Sequence, residues 1–233
     1  MRVELLNTGT ELILGYTVNT HLNYIGQKLA DIGLRLDRQT TVADDRAEMR
    51  AVVADALQRS DILLITGGLG PTSDDFTREV VAELLDRKLV RDDTIAAGIA
   101  ERFHKRGIRM PASVNVQALV PVGAQVLPNP NGTAPGLAVE HEKKLLLLLP
   151  GPTRELKPMF EQYVLPVLKQ HFGQQAAFDC RVFKVVGLAE SLVEERIGEL
   201  PGVELGFCAK MGEVEVRILS SVQIGRASCR ERV

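Results

Sequence analysis

Two arrangements of apolar residues alternate along this chain. Val3–Leu6, Ile62–Ile65 and Leu145–Leu149 are short apolar runs, nearly unbroken, as in strands covered on both faces. Between them, apolar positions recur at helical spacing. Val18, Leu22, Ile25, Leu29 and Ile32 predict a helix over Thr17–Ile32 with Gly33 as its stop. Met49, Val52, Val53, Ala56 and Leu57 predict another over Arg46–Gln58, capped by Ala43-Asp44-Asp45. Leu34–Val42 alternates apolar with polar residues, which suits a less buried strand. Further helices are expected over Phe76–Leu85, Asp92–Arg106, a short stretch near Ser113–Ala118, and from Arg154-Glu155 to Phe172. Gly136–Glu140 and Lys144–Leu149 flank the polar break His141-Glu142-Lys143 and predict a hairpin. Repeated strand–helix units imply right-handed crossovers and a mainly parallel sheet, whose carboxyl-end loops form a ligand crevice. The loops brought there are Thr8–Glu11, Asp44 and Gly67–Asp75.

The stretch Ile62–Thr77 carries the most chemistry. Its apolar run stops at Thr66-Gly67-Gly68-Leu69-Gly70, Pro71 cannot continue a strand, and Thr72 and Ser73 are candidate N-caps for the helix that follows. Strand, glycine loop and helix start together make a phosphate cradle. Gly67, Gly68 and Gly70 let backbone N–H groups approach an anion, and the helix N-terminus adds partial positive charge. Asp74 and Asp75 admit two readings. As caps they suit the helix dipole; beside a bound phosphate they repel it unless a divalent cation lies between, and Mg²⁺ is commonly held by one or two carboxylates plus phosphate oxygens. A second strand, glycine turn and helix recurs at Pro150-Gly151-Pro152-Thr153, with Glu155 in the first turn, so both turns can face one pocket.

Composition narrows the partners. With 233 residues, 45% of them hydrophobic, the chain can bury a full core and has room for a smaller second domain. A net charge of −2 gives no basic field for nucleic acid or an anionic membrane, and 4% aromatic residues without Trp leave little for base stacking. No apolar run approaches the roughly 20 residues of a membrane span, and no signal peptide precedes the first strand, so a cytoplasmic protein with a small substrate is expected. Cys180, Cys208 and Cys229 have no metal-ligand spacing and read as plain thiols, buried or incidental. His21, His104, His141 and His171 show none either, and ordinary surface or cap roles are expected for all four. After a linker at Gly173-Gln174-Gln175, a strand at Arg181–Val186, a helix at Ala189–Ile197 and a hairpin of Val203–Ala209 with Val214–Leu219 make a small α+β domain. No Gly-x-x-Gly clamp marks it as an RNA binder. The stretch Ile224–Val233, IGRASCRERV, carries no pattern of its own and resembles the in-frame translation of a sequencing adapter, so it is set aside as a non-native tail.

Four ordered motifs point to a family. Thr8-Gly9-Thr10-Glu11-Leu12, Thr66–Thr72 with Asp74, Asp75 and Thr77, Asn129–Gly136 (NPNGTAPG) and Pro150–Glu155 (PGPTRE) resemble the amino-terminal half of the CinA family and, within it, the molybdopterin-binding, MoaB/Mog-like domain. Thr10 stands where that first motif often has an aspartate. The resemblance implies a three-layer α/β/α domain over residues 1–172, a KH-like domain over 176–222, and self-association. It also implies a divalent metal, Mg, Mn or Co, and hydrolysis of the diphosphate of ADP-ribose. Nothing in this chain corresponds to the family's nicotinamide-nucleotide deamidase.

Residue roles follow from both readings. Asp75 is the first choice for a metal or catalytic carboxylate, because it also matches the aspartate after the glycine turn in Mog-like domains; Asp74 and Glu11 come next. Gly67, Gly68, Gly70 and Thr72 hold phosphate, Asp44 is either a second acidic point or a cap, and Asn131, Gly132, Thr133 and Gly136 cover the nucleotide or pterin. Glu155 is an orienting residue or a helix-start acid, with the latter favoured. Two functions stand: a metal-dependent hydrolase of a phosphorylated nucleotide, or a non-catalytic binder of a molybdopterin-like phosphorylated pterin. A competence or DNA-damage partner, a third reading, has only the family's name behind it.

Overall fold

The computed structural model describes residues 1–173 and 177–220, and the chain divides into two compact units, Met1–Gly26 with Arg35–Gly173 and Gln27–Leu34 with Gln174–Val233. Most of the expected linker, Cys229 and the adapter-like tail lie outside the described residues.

The chain opens with β1 (Val3–Thr8), the single turn α1 (Thr10–Ile13), α2 (His21–Ala30), β2 (Leu36–Val42), α3 (Arg46–Arg59) and β3 (Ile62–Thr66). It continues with α4 (Thr77–Leu84), β4 (Leu89–Arg91), α5 (Asp93–Lys105), a 3₁₀ turn at Ala112–Ala118, β5 (Leu119–Pro121) and β6 (Gln125–Leu127). The β7 (Gly136–His141) and β8 (Lys144–Leu149) hairpin then leads into α6 (Thr153–Met159), a π segment at Phe160–Val164 and α7 (Leu165–Phe172). Six strands form one sheet in the order β2-β1-β3-β8-β7-β6, parallel through β8 and antiparallel beyond it. It is the mainly parallel sheet that the apolar runs predict. Leu64 is flanked by Leu5 and Leu147, and all three side chains are buried.

Alternation along the strands supplies both faces of the core. Leu6, Leu63, Ile65, Leu146 and Leu148 pack with Met49 and Val53 of α3 and Val80 and Val81 of α4. The intervening residues Leu5, Leu64, Leu147 and Leu149 turn to the opposite face, where the helical run 153–172 buries Leu156, Met159, Phe160, Val164 and Leu168. Tyr24 of α2 meets Phe160 edge-on, with ring centroids 6.0 Å apart.

Several details differ from the pattern. The first long helix starts at His21 instead of Thr17, its opening N–H held by Asn19 Oδ1 at 3.1 Å. Asp45 caps α3 by accepting from the Glu48 amide at 2.8 Å, which frees Asp44 from that role. Neither Thr72 nor Ser73 caps α4; the helix begins at Thr77 behind Phe76, and Thr72 instead closes a turn on Asp75. The carboxylates of Asp74 and Asp75 therefore precede the helix. Strands β4, β5 and β6 have three residues each, too few to show an alternation. The last helix is widened at the π segment, just before Pro166, which lacks the N–H that an α-turn would place on the Gln162 carbonyl.

The smaller unit contains β9 (Asp179–Val186), α8 (Glu190–Ile197), β10 (Glu204–Lys210) and β11 (Glu213–Ser220). Its antiparallel sheet has the order β10-β11-β9, and Val193, Val214 and Val216 are its buried centre. Cys180 is exposed and Cys208 half-buried, and both are free thiols. Among the described residues no helix is long and apolar enough to cross a membrane.

Candidate functional site

At the carboxyl ends of β1, β3 and β8 the chain leaves the sheet through three glycine-containing turns. The strand order reverses between β1 and β3, the place where α/β sheets open a crevice. The crevice here is a cleft of about 460 Å³.

Its floor is the loop after β3. Gly67 donates its N–H to Leu149 O at 3.0 Å, which joins the turn to the end of β8. Gly68, with φ of 65°, leaves no room for a side chain, since a Cβ would lie 2.1 Å from Thr77 Oγ1. Thr77 in turn donates its hydroxyl to Gly67 O at 2.8 Å and its amide to Gly68 O at 3.0 Å, so the carbonyls are tied down beneath the loop. The N–H groups of Gly68, Leu69 and Gly70 have no acceptor among the described residues. They are the donors an anion requires.

Arg78 and Gln117, each only 2% exposed, support this loop from below. Arg78 donates to Leu69 O at 3.2 Å and to Val116 O at 2.8 Å, and Gln117 Nε2 reaches Leu69 O at 3.4 Å. Burial pushes the Arg78 guanidinium below its usual pKa, against the pull of the Glu79 and Asp75 carboxylates. Gln117 Oε1 is buried without a partner among the described residues, and Gln117 lines the cleft.

Five carboxylates line the same cleft: Glu11, Asp44, Asp74, Asp75 and Glu155. Asp75 Oδ2 accepts the Thr72 amide at 3.0 Å and the Thr72 hydroxyl in a shorter bond. Thr72 and the Asp74 amide also hold the Asp74 carboxyl below its usual range. One hydroxyl has one proton, and the geometry gives it to Asp75, so Asp74 is the less committed of the two. Asp44 and Thr10 are locked reciprocally, Thr10 N–H to Asp44 Oδ2 at 2.8 Å and Asp44 N–H to Thr10 Oγ1 at 3.0 Å, which fixes the ends of β1 and β2 against each other. Glu155 sits in the first turn of α6, is 8% exposed, and accepts from Asn129 Nδ2 at 2.8 Å. It is thus more than a helix-start acid, because it anchors the 129–136 loop to α6. Gly132 is the contact point, where a Cβ would fall 1.9 Å from Glu155 Oε2.

Of the residues singled out from sequence, Glu11, Asp44, Gly67, Gly68, Gly70, Asp74, Asp75, Asn131, Gly132, Thr133 and Glu155 all border this cleft. Thr72 stands behind Asp75 and does not line it. Gly136 does not line it either: it lies in β7 beneath Met159, whose sulfur would be 2.5 Å from a Cβ there, so packing and not ligand contact requires glycine. Arg102 and Arg106 of α5 and its end, and Arg154, also border the cleft. Arg154 falls inside the PGPTRE motif but draws no site role from it; Arg102, Arg106 and the buried Arg78 escape sequence pattern because an arginine on an amphipathic helix reads as solvated surface, and Gln117 because a short 3₁₀ turn carries no pattern.

The fold and these motifs have known relatives. Residues 4–170 match the family model described as "Probable molybdopterin binding domain". A CinA-like protein of Akkermansia muciniphila is 41% identical over 240 residues, covering 100% of this chain and 58% of that protein. A CinA-like protein of Dictyoglomus thermophilum is 40% identical over 222 residues, 94% of this chain and 54% of its own. The chain therefore spans about half the length of the curated relatives it matches. Among solved structures, the protein CinA from Thermoplasma acidophilum, described as of unknown function, superposes with a TM-score of 0.65 at 31% identity, over 71% of this chain and 97% of its own. MoaB of Thermus thermophilus, a molybdopterin biosynthesis enzyme, superposes at 0.50 and 25% identity, over 74% and 97% respectively. The sheet order, the motifs and these matches agree, and the chain belongs to the CinA-like proteins that carry the molybdopterin-binding domain.

Proposed function

We propose that the cleft binds ADP-ribose, or a related nucleotide, and hydrolyses its diphosphate with a divalent cation to give AMP and ribose 5-phosphate. The observation that carries this reading is the pairing of opposite chemistries in one cleft. Three free N–H groups of the Gly67–Gly70 turn offer an anion site, and five carboxylates surround it. Against three arginines, these carboxylates leave the cleft lining net negative, which disfavours a diphosphate unless a cation accompanies it.

The donors fit a hard divalent cation, since they are all carboxylate oxygens. No group of three or more acidic, histidine or cysteine side chains among the described residues converges as a ready cage, so a bound cation would need substrate oxygens or water beside these carboxylates. Asp74 and the free Oδ1 of Asp75 are the residues that would hold the ion. When bound, it neutralises the diphosphate and polarises the phosphoryl group under attack. The Gly68, Leu69 and Gly70 amides hold the non-bridging oxygens, and the Asn131–Thr133 loop closes over the nucleotide. Water oxygen then bonds to one phosphorus as the bridging P–O bond breaks, with Glu11 placed to take the proton.

The test is release of AMP and ribose 5-phosphate from ADP-ribose with Mg²⁺, Mn²⁺ or Co²⁺ and after chelation, with Asp74→Asn and Asp75→Asn assayed alongside. Metal-dependent turnover, cut at least about a hundredfold in a folded Asp74→Asn or Asp75→Asn protein, supports the hydrolase. The family match over residues 4–170 favours one second reading, a non-catalytic binder of a phosphorylated pterin. No turnover, with calorimetric binding of a molybdopterin precursor, would select it.

A further inference from the structure

One peptide group, Leu69–Gly70, brings a buried carboxamide up to the Asp75 carboxylate. Arg78 and Gln117 donate to the Leu69 carbonyl at 3.2 and 3.4 Å. Asp75 lies so close to the next residue that a Cβ on Gly70 would fall 2.3 Å from its Oδ2. Propping the turn uses only half of the Gln117 carboxamide. Its Nε2 faces the Leu69 carbonyl, because the reversed amide would set oxygen against oxygen, and Oε1 is therefore fixed as an acceptor. This oxygen is buried without a partner among the described residues, on a side chain that is 2% exposed and lines the cleft. A prop needs a donor alone, whereas a buried acceptor at a cleft wall is costly until something bound there supplies a proton.

The cleft narrows what that donor is. Ionised phosphate oxygens and the five carboxylates only accept. Arg102 gives its guanidinium to Asn129 O and Pro130 O, at 3.5 and 2.5 Å, and Arg106 and Arg154 are exposed, with their charged ends in solvent. Water fits. A water on a divalent cation donates more strongly than a free one, because the metal draws charge from its oxygen, and Mg²⁺ held by one or two carboxylates keeps several such waters.

We propose that Gln117 is a positioning residue for the cation: its Oε1 accepts from a water on the ion that Asp74 and Asp75 hold, while its Nε2 keeps the anion turn in shape. The proposal rests on the metal-dependent diphosphate reading above and adds a partner for the ion from the 3₁₀ turn at Ala112–Ala118. Calorimetry on the full chain tests it, with α,β-methylene ADP, which cannot be cleaved at that bridge, titrated in chelator and again with Mn²⁺ in excess. The ion should tighten binding to the unaltered protein about tenfold or more. Gln117→Met, which keeps the length and removes the acceptor, should shrink that gain to within about threefold, in line with the tenfold or greater losses of metal affinity that outer partners cause. Its affinity in chelator should stay within about twofold, because Arg78 still holds the Leu69 carbonyl. Gln117→Asn, which keeps the polarity and withdraws it by one methylene, should lose the gain in the same direction and takes over the test if the methionine variant does not fold. An undiminished gain in either folded variant overturns the proposal and leaves the diphosphate reading standing. So does an equal fall in both titrations, which would make Gln117 a prop alone. No gain from Mn²⁺ in the unaltered protein removes the cation from the reading, and the role of Gln117 with it.

Discussion

At the Leu69 carbonyl, two buried side chains fix the shape of the anion turn. Arg78 and Gln117 both donate to it, and Arg78 also holds Val116 O, so the turn cannot relax without orphaning buried polar groups. Arg78→Met keeps the bulk and removes the donors. It should cost about 3 kcal/mol, within the range for leaving buried acceptors unpaired, read as a lowered urea midpoint at unchanged slope. Arg78→Lys should recover part of this loss. His21 offers a second residue-level prediction. Its folded pKa lies below the usual value, so as pH falls through about 6.5 the unfolded imidazole takes up a proton that the folded one refuses. Stability is therefore lost as pH drops from 7 toward the folded pKa, and the loss levels off below it. Thermal melts at pH 7.5 and 5.5 should show a larger fall for the unaltered protein than for His21→Asn. Equal falls would remove the buried neutral ring as the cause.

Among the elements, β8 has the heaviest packing duty. Leu147 lies between Leu64 of β3 and Ala138 of β7, fully buried in the six-stranded sheet. Leu147→Ala should destabilise by about 2–5 kcal/mol through lost burial and the cavity left behind, measured by denaturant unfolding. At the tip of the same hairpin Glu142 has φ of 55°, a left-handed conformation that strains a residue with a Cβ. Glu142→Gly should be neutral or stabilise by up to about 1 kcal/mol in the same assay, where Gly in the middle of β8 would do the opposite. These elements were legible because a strand buried on both faces must be apolar at every position, and Leu145–Leu149 has no other reading at that length. Other elements escaped for physical reasons. The start of α4 is set by Thr77 bonding the Gly67 and Gly68 carbonyls, a tertiary contact, while Thr72 and Ser73 have the right chemistry in the wrong place. The glycine at 136 looks the same in sequence as those at 67 and 68, yet it lies in β7 off the cleft, where Met159 leaves no room for a side chain.

Across the whole molecule, charge decides how an anion can be admitted. Eleven of the residues that the motifs single out border one cleft, since loops at the carboxyl ends of parallel strands meet there. The balance of that cleft was less legible, because Arg102 and Arg106 come from the surface and end of one helix with no pattern of their own, while Arg154, inside the PGPTRE motif, reads there as a helix-start residue beside Glu155. Three guanidinium groups do not offset five carboxylates, and the chain as a whole carries −2. A protein that held phosphate by cations alone would lose affinity steeply as salt screened the attraction. Here the uncompensated field is repulsive, so the dependence should run the other way. In chelator, the affinity for ADP should hold steady or tighten by about twofold between 10 and 150 mM salt, as the Debye length shortens to about 8 Å. At fixed ionic strength, saturating Mg²⁺ should then tighten it by about tenfold or more. Isothermal titration in both series separates the two cases: a steep fall in affinity with salt in chelator would assign the anion to the arginines and leave the carboxylates to organise the loops.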